Sequence, residues 1–384
     1  MEKYLLVIDQ IKTGGAEKIL IDYYSYLVKK GRLVKVFSLQ GFDGRSSWTE
    51  GLDIMYGEKK NKGNIVLKLF SQIRLLWKMK KLIRNYQPDI VFSFLEKSNF
   101  ITTLVVPQHI KKVVTVHNIL SIQYTKISSR FIRGALSKVI NWMYNRNTQV
   151  IAVSKQVKDD LVLMYGVDDH KIHVINNYVD KADIKMKSLE SVSDFIFHKD
   201  VKYVLNIGRF SLQKSQHKLI NAFHFLIANK GIKGVHLVLL GEGEKEKDLR
   251  DLVDKLGMND YITFIPFNIN PYKYMSKVDL LVLSSVFEGF PIVVSEMSSL
   301  RIPFVGSDKA IPREMFQSDS VWTSCTFKVS TDDDSDTNSL AQLIFNGLYN
   351  EDLRNLMLGD TSYWEKKNNK SSQFELYDEH ALLS

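Results

Sequence analysis

The sequence predicts two α/β domains, each a doubly wound parallel sheet, and three observations carry that prediction. The chain has 384 residues, too many for one ordinary core and suited to two domains of roughly 180 each. Short apolar, β-rich runs alternate with helical stretches along its length, the pattern of βαβ units on parallel sheets. The alternation stops at a polar segment, "DKADIKMKSLESVSDFIFHKD" at 180–200, and then restarts. Residues 1–185 are expected to form one Rossmann-like domain and 186–384 a second, with the last helix a candidate to cross back to the first.

The elements follow in order. "YLLVID" (4–9) reads as a short buried strand. "GGAEKILIDYYSYLVKKG" (14–31) reads as a helix, with Ile19, Leu20, Tyr23, Leu27 and Val28 on one face and Lys-Lys-Gly as its end. Strands are expected at 33–39, 88–95, 111–118 and 148–155, with helices between them. In the second half the strands are 202–210, 235–243, 261–267, 279–285 and 302–308. Helices at about 214–229, 245–257, 271–277 and 291–300 join them. Such sheets bind ligands outside the carboxyl ends of their strands, and two of them facing each other would make a cleft.

Bulk composition narrows the class. Hydrophobic residues make up 45% and charged residues 25%, which suits a soluble globular protein. A single cysteine, Cys325, cannot pair within the chain, so a reducing compartment is expected. The N-terminal apolar run, Tyr4 to Ile8, is too short for a signal peptide. No other run reaches the ~18 residues of a membrane span, and the expected location is the cytoplasm. A net charge of +9 calls for an anionic partner. No nucleic-acid signature is present, so that partner is expected to be a phosphate-bearing molecule or a membrane surface.

The stretch "SSVFEGFPIVVSEMSS" (284–299) carries the chemistry. Its two acids, Glu288 and Glu296, lie eight residues apart; on one helix they would diverge by roughly 80°, so they do not form a proton-sharing pair. Glu288 instead falls just past a strand end, and Pro291 marks the start of the next helix. The amides of Phe290, Ile292 and Val293 at that start make an anion site. Glu296, a turn further on, is compatible with a neighbouring phosphate if it grips hydroxyls, as a ribose diol offers. The pattern asks for a nucleoside diphosphate linked to a sugar. "NIGRFSLQKSQHKLI" adds Arg209 after one strand and Lys214 before the next helix, a bidentate fork and a point charge suited to a pyrophosphate. In "IKTGGAEK", Gly14 and Gly15 sit in a strand-to-helix turn where amides approach a ligand closely.

These stretches resemble the retaining glycosyltransferases of family four, which have the GT-B fold. The resemblance runs through "GGAEK", "VTVHN", "IAVSKQVKDDL", "VINNYVD", "GRFSLQKSQHKLINAF", "LLGEGEKEKDL", "NPYKYMSKVDLLVLSSVFEGFPIVVSEM" and "PFVGSD". It implies two Rossmann-like domains facing across a cleft, the first on the acceptor side and the second holding the nucleotide-sugar. It implies that Glu288 contacts the donor sugar and Glu296 the ribose, that Arg209 and Lys214 hold the diphosphate, and that His117 lies near the transferred sugar with Gly15 beside the phosphates. The leaving phosphate would take the acceptor's proton on the same face, with no covalent nucleophile. Glycines usual in the family are replaced by Ser215 and Arg301, and "VINNYVD" lacks the common Pro-Asn-Gly.

The expected reaction moves a hexose or N-acetylhexosamine, with a UDP-sugar the favoured donor, to a glycan, lipid-linked or protein acceptor in cell-surface glycan synthesis. Rivals are an epimerase or phosphorylase, for which no acid/base set or cofactor lysine is visible, and a non-catalytic GT-B subunit, which would tend to lose its donor contacts. No cofactor is expected. "STDDDSD" (330–336) contains Asp-x-Asp but reads as a solvated loop rather than a metal site. Two helical stretches, 65–84 and 130–146, are basic with few acids. In the first, Lys68, Arg74, Lys78, Lys80, Lys81 and Arg84 accompany an apolar stripe of Val66, Leu69, Phe70, Ile73, Leu76 and Trp77. Either they are packed helices with basic outer faces, or they dock peripherally on an anionic membrane.

Overall fold

The computed structural model describes residues 1–11, 14–40, 51–58, 65–125, 127–329 and 333–382. The chain divides into two compact units, Met1–Asn177 with Ser371–Ser384, and Tyr178–Lys370. The division thus falls between Asn177 and Tyr178, some residues before the expected 185, and the C-terminal segment is part of the first unit.

The first unit is built on seven strands: β1 (Lys3–Ile8), β2 (Leu33–Gln40), β3 (Ile54–Glu58), β4 (Ile90–Phe94), β5 (Lys111–Val116), β6 (Gln149–Ala152) and β7 (Ile172–Val174). All pair in parallel in the order β3-β2-β1-β4-β5-β6-β7. The order reverses direction between β1 and β4, the switch point at which such sheets open a crevice. Leu5, Val7, Phe37, Leu39 and Val91 from the strands pack with Leu75, Met79, Leu82 and Ile83 of the helix Ile65–Tyr86. On the opposite side of β1, Tyr23 meets Phe374 and Tyr377 of the helix Lys370–Leu382, with ring centroids 5.4 Å apart in both pairs. Tyr377 also stacks on Phe92 of β4, and the Tyr4 hydroxyl donates to Asp378.

The second unit holds six strands: β8 (Lys202–Ile207), β9 (Val235–Leu240), β10 (Ile262–Ile265), β11 (Leu280–Leu283), β12 (Phe304–Ser307) and β13 (Thr326–Phe327). Their order is β10-β9-β8-β11-β12-β13, again all parallel. Here β8 and β11 pair only through Val204–Leu280 and Leu205–Leu281. Beyond that the Asn206 side chain, not a ladder bond, bridges to the Val282 carbonyl at 2.8 Å. The sheet begins to part at its switch point.

The outermost strands β3, β7 and β13 are absent from the sequence expectation; each is a short end strand with few apolar residues to mark it. The helix 65–86 is present, yet its apolar stripe faces the wrong way for a core. Its buried residues are Leu75, Met79, Leu82 and Ile83, while Phe70, Ile73 and Trp77 are more than half exposed. The side chains of Val66, Lys68 and Leu69 lie outside the described residues. The "STDDDSD" expectation also changes. Ser330 to Asp332 are outside the described residues, but a helix begins at Asp333 (Asp333–Tyr349), and Asp336 is buried and ion-paired with Lys218 at 2.5 Å. Asp336 is therefore a buried helix residue and not a solvated loop acid.

Candidate active site

In the second unit the predicted residues gather at the carboxyl ends of β8 and β11. Arg209 follows β8 by two residues and is exposed; among the described residues its guanidinium makes no hydrogen bond or ion pair. Its carbonyl is held by Gln216 Nε2 at 3.1 Å. The residue between, Gly208, has φ 152°, and an added Cβ there would come 3.2 Å from Lys214 Cε. The Lys214 stem thus lies across a position that favours glycine. Lys214 precedes the helix Gln216–Ala228, and its ammonium reaches Glu288 Oε1 at 2.6 Å. Both side chains keep partial exposure. The two loops that carry them are laced together: the Val286 amide donates to the Gln213 carbonyl (2.8 Å), Gln213 Nε2 to the Phe287 carbonyl (3.0 Å), and the Ser284 hydroxyl to the Lys214 carbonyl (2.8 Å).

Past Glu288 the helix runs Ile292–Ser299, with extended Pro291 as its cap and no side chain capping its first turn. The amides of Ile292 and Val293 stand in that turn, where an anion is favoured. Phe290 stacks on Trp364, centroids 5.4 Å apart, and so fixes the approach to the helix. Glu296 is buried on this helix, and the Tyr272 hydroxyl donates to its Oε1 at 2.7 Å.

In the first unit, Gly14 caps the helix Gly15–Lys29 in extended conformation without a capping side chain, and Gly15 is exposed. A Cβ on Gly14 would lie 2.3 Å from Glu17 Oε2, so the close approach at Gly14 is made by the chain's own carboxylate. Lys12 and Thr13 are outside the described residues. His117 follows β5 directly. Thr115 Oγ1 donates to the Ser93 carbonyl (3.1 Å), so it accepts from His117 Nε2 (2.8 Å). This network assigns the proton to Nε2 and leaves Nδ1 as an acceptor. Burial pushes the His117 pKa down to about 4, and the ring is neutral at pH 7.

Sequence reasoning missed the neighbours of His117. Asp9 follows β1, and its Oδ1 accepts both the amide (2.7 Å) and the hydroxyl (2.6 Å) of Ser98. Glu96 follows β4 and accepts from Asn118 Nδ2 at 3.3 Å. Burial raises the pKa of both, and the charge of Asp9 raises that of Glu96 further. Leu95, between β4 and Glu96, holds φ 75° and ψ 157°, a region nearly confined to glycine. The strand-end rule that located Arg209 and Glu288 would have found Asp9 and Glu96 too. A cavity of about 790 Å³ lies elsewhere in this unit, lined by Lys80, Arg84, Asp89 and Lys111 at the amino ends of β4 and β5, away from His117.

Comparison with known proteins bears on the class of the whole chain. Residues 13–183 match the family described as Glycosyltransferase Family 4, and residues 190–357 the one described as Glycosyl transferases group 1. The two matches together span most of the chain and support a glycosyltransferase of the family 4 type. The chain is 29% identical over 323 residues to the N-acetylgalactosamine-N,N'-diacetylbacillosaminyl-diphospho-undecaprenol 4-alpha-N-acetylgalactosaminyltransferase of Campylobacter jejuni, covering 83% of this chain and 84% of that one. It is 23% identical to the lipopolysaccharide core biosynthesis glycosyltransferase LpsD of Rhizobium meliloti, covering 81% of each. Among solved structures, Anabaena HepE in complex with UDP and glucose superposes with a TM-score of 0.74 over 98% of both chains at 18% identity. WaaG, from lipopolysaccharide biosynthesis, gives 0.73 over the whole of both at 12% identity. The fold is the two-domain α/β GT-B fold, and the chain is an enzyme rather than a non-catalytic relative.

Proposed function

We propose that the enzyme is a retaining, metal-independent transferase that moves a hexose or N-acetylhexosamine from a UDP-sugar to a glycan, lipid-linked or protein acceptor. The observation that carries this reading is the second unit's switch point. There Arg209, whose guanidinium has no partner among the described residues, follows β8, Lys214 is paired with Glu288, and an uncapped helix start with Glu296 one turn in follows β11. Arg209, Lys214 and the amides of Ile292 and Val293 would hold the diphosphate, and Glu296 the ribose. Phe290 and Pro291 set the entry to that helix. UDP as the nucleotide of the donor is supported by its presence in HepE, and a lipid-diphosphate acceptor by the name of the Campylobacter relative.

In the reaction, an acceptor hydroxyl oxygen bonds to the anomeric carbon as the bond from that carbon to the phosphate oxygen breaks. The hydroxyl proton passes to the departing phosphate on the same face, and Arg209 and Lys214 stabilise its growing charge. Glu288 orients the sugar and supports its oxocarbenium-like charge once phosphate competes for Lys214. In the first unit, neutral His117 would accept a hydrogen bond from a sugar hydroxyl at Nδ1, and exposed Gly15 would let a phosphate approach, whereas the Glu17 carboxylate lies against Gly14. Retention is supported by the likeness to retaining family members, not by geometry.

The test is a thermal-shift and turnover series with UDP-, GDP- and ADP-sugars in excess chelator. A donor at ~100 times its Kd should add roughly 2.7 kcal/mol of stability. Activity lost in chelator and restored by manganese would overturn metal independence; inversion at the anomeric carbon would overturn retention.

A second reading concerns where the enzyme works, and the exposed Phe70, Ile73 and Trp77 favour it. With Lys80, Lys81 and Arg84 they share the solvent face of the helix Ile65–Tyr86. Phe131, Ile132 and Trp142 are likewise exposed on the helix Arg130–Asn145. An outward face of this composition suits peripheral docking on an anionic membrane at the cytoplasmic side. No helix among the described residues is long and apolar enough to cross a membrane.

A further inference from the structure

Lys214 and Glu288 meet across 74 residues of chain, with Lys214 Nζ 2.6 Å from Glu288 Oε1. The pair is partly shielded, its side chains 24% and 12% exposed. Both backbones are anchored. The Lys214 carbonyl accepts from the Ser284 hydroxyl at 2.8 Å, and the Glu288 amide donates to the Lys309 carbonyl at 2.9 Å. The Val286 amide and the Gln213 side chain tie the two loops to each other. The stem of Lys214 also lies along Gly208, where an added Cβ would come 3.2 Å from its Cε. A phosphate that reaches this ammonium therefore arrives beside a carboxylate fixed to the same frame.

A lysine ammonium is a compact point charge, and in the free enzyme it already faces an anion of the chain itself. A diphosphate must displace that carboxylate or share the ammonium with it, and two neighbouring anions repel. Solvent screens the repulsion only in part, because both side chains are mostly covered. A donor with its sugar attached brings compensation, since sugar hydroxyls can donate to the oxygens of Glu288. A nucleoside diphosphate without the sugar brings none.

We propose that Glu288 has a second role: it competes with the diphosphate for Lys214 and so speeds release of the nucleotide product. This rests on the reading of Lys214 as a phosphate ligand and of Glu288 as a sugar ligand. Once the sugar has passed to the acceptor, the carboxylate loses its hydroxyl partners and turns back to the ammonium. The diphosphate is loosened at the moment when it has become product. Removing the charge of Glu288 should therefore strengthen the binding of the nucleotide product, although it removes an ion pair.

The experiment measures the binding of UDP, GDP and ADP by titration calorimetry and carries the tightest forward, together with its nucleoside. Wild type is compared with Glu288→Gln and Lys214→Gln. Glutamine keeps the shape of the glutamate and removes its charge. Glu288→Gln should bind the diphosphate roughly tenfold more tightly, the order expected of one partly screened charge. The gain should appear as slower dissociation in stopped-flow displacement, shrink as salt is raised, and be absent for the nucleoside. Lys214→Gln should weaken the diphosphate by roughly tenfold or more and leave the nucleoside unchanged. An ion pair that merely braces the two loops predicts the reverse for Glu288→Gln, a weakening of diphosphate and nucleoside alike. That result, an unchanged diphosphate affinity, or a gain shared by the nucleoside overturns the proposal while leaving Lys214 as a phosphate ligand. If no diphosphate binds wild type, or Lys214→Gln binds it as wild type does, the reading of Lys214 fails and the proposal falls with it.

Discussion

Arg301 holds φ at 57° and Ser215 at 49°, the left-handed region that glycine enters most freely. At both positions the sequence departs from a glycine usual in the family it resembles, so both departures carry a backbone cost. They differ in compensation. The Ser215 hydroxyl donates to the Leu212 carbonyl at 3.0 Å, whereas the exposed Arg301 side chain makes no such bond among the described residues. Arg301→Gly should therefore stabilise the protein by about 0.5–1 kcal/mol, the left-handed penalty less the entropy of glycine. Ser215→Gly should be close to neutral. Urea denaturation checks both, and an Arg301→Gly protein less stable than wild type would contradict the assignment of strain. His117 bears on pH. Its folded pKa, about 4, lies below the unfolded value near 6.5. Between those two values the unfolded chain binds the extra proton, so stability is full above pH 6.5 and is lost as the pH falls toward 4. The loss is on the order of 2–3 kcal/mol, discounted because the residue keeps some exposure. His117→Asn should flatten the stability profile across that interval, measured by denaturant melts at several pH values.

At the scale of elements, the helix Ile65–Tyr86 carries the most direct test. Lys78 is tied to Glu58 at 2.8 Å, and Arg74 also pairs with Glu58, so neither is free for lipid. Lys80, Lys81 and Arg84 are exposed and carry the charge that remains among the described side chains. Each basic residue near an anionic surface is worth ~1 kcal/mol, and the attraction is screened beyond ~8 Å at physiological salt. Reversing those three to Glu should release the protein from anionic vesicles by roughly a hundredfold or more and leave nucleotide binding unchanged, as co-sedimentation would show. Equal binding to neutral and anionic vesicles would remove the membrane reading. This helix also shows how far sequence reaches. It has two apolar arcs, one through Phe70, Ile73 and Trp77 and one through Leu75, Met79, Leu82 and Ile83. Periodicity reports that arcs exist, and only the partner surface decides which is buried. Strand ends are more legible, since a strand followed by Gly-Arg or by an acid and a proline places its candidate residue by chain direction alone. Arg209, Lys214, Glu288 and Glu296 were accessible in that way. Tyr272 was not, because it meets Glu296 across 24 residues and no local pattern records such a contact.

For the whole molecule, the alternation of strands and helices was enough to give two parallel sheets, while the chain's return to the first unit depends on aromatic packing. Phe374 and Tyr377 are nearly fully buried against Tyr23 and Phe92. Phe374→Ala should cost about 3–5 kcal/mol, the range for removing a buried aromatic side chain. A urea melt followed by near-ultraviolet dichroism would detect it, and a loss below ~1 kcal/mol would mean that the C-terminal helix contributes little to the first unit. The same return has a consequence for biosynthesis. The second unit is one uninterrupted segment, Tyr178–Lys370, whereas the first is assembled from both sides of it. A ribosome delivers the chain in order, at ~5–20 residues per second. The unit that is started first therefore cannot be finished first. Its early strands emerge with Tyr23 and Phe92 still uncovered and wait through the making of nearly two hundred further residues. A nascent chain stalled near Lys370 would hold one completed domain and one with an open aromatic face, the species on which a chaperone has the most to act.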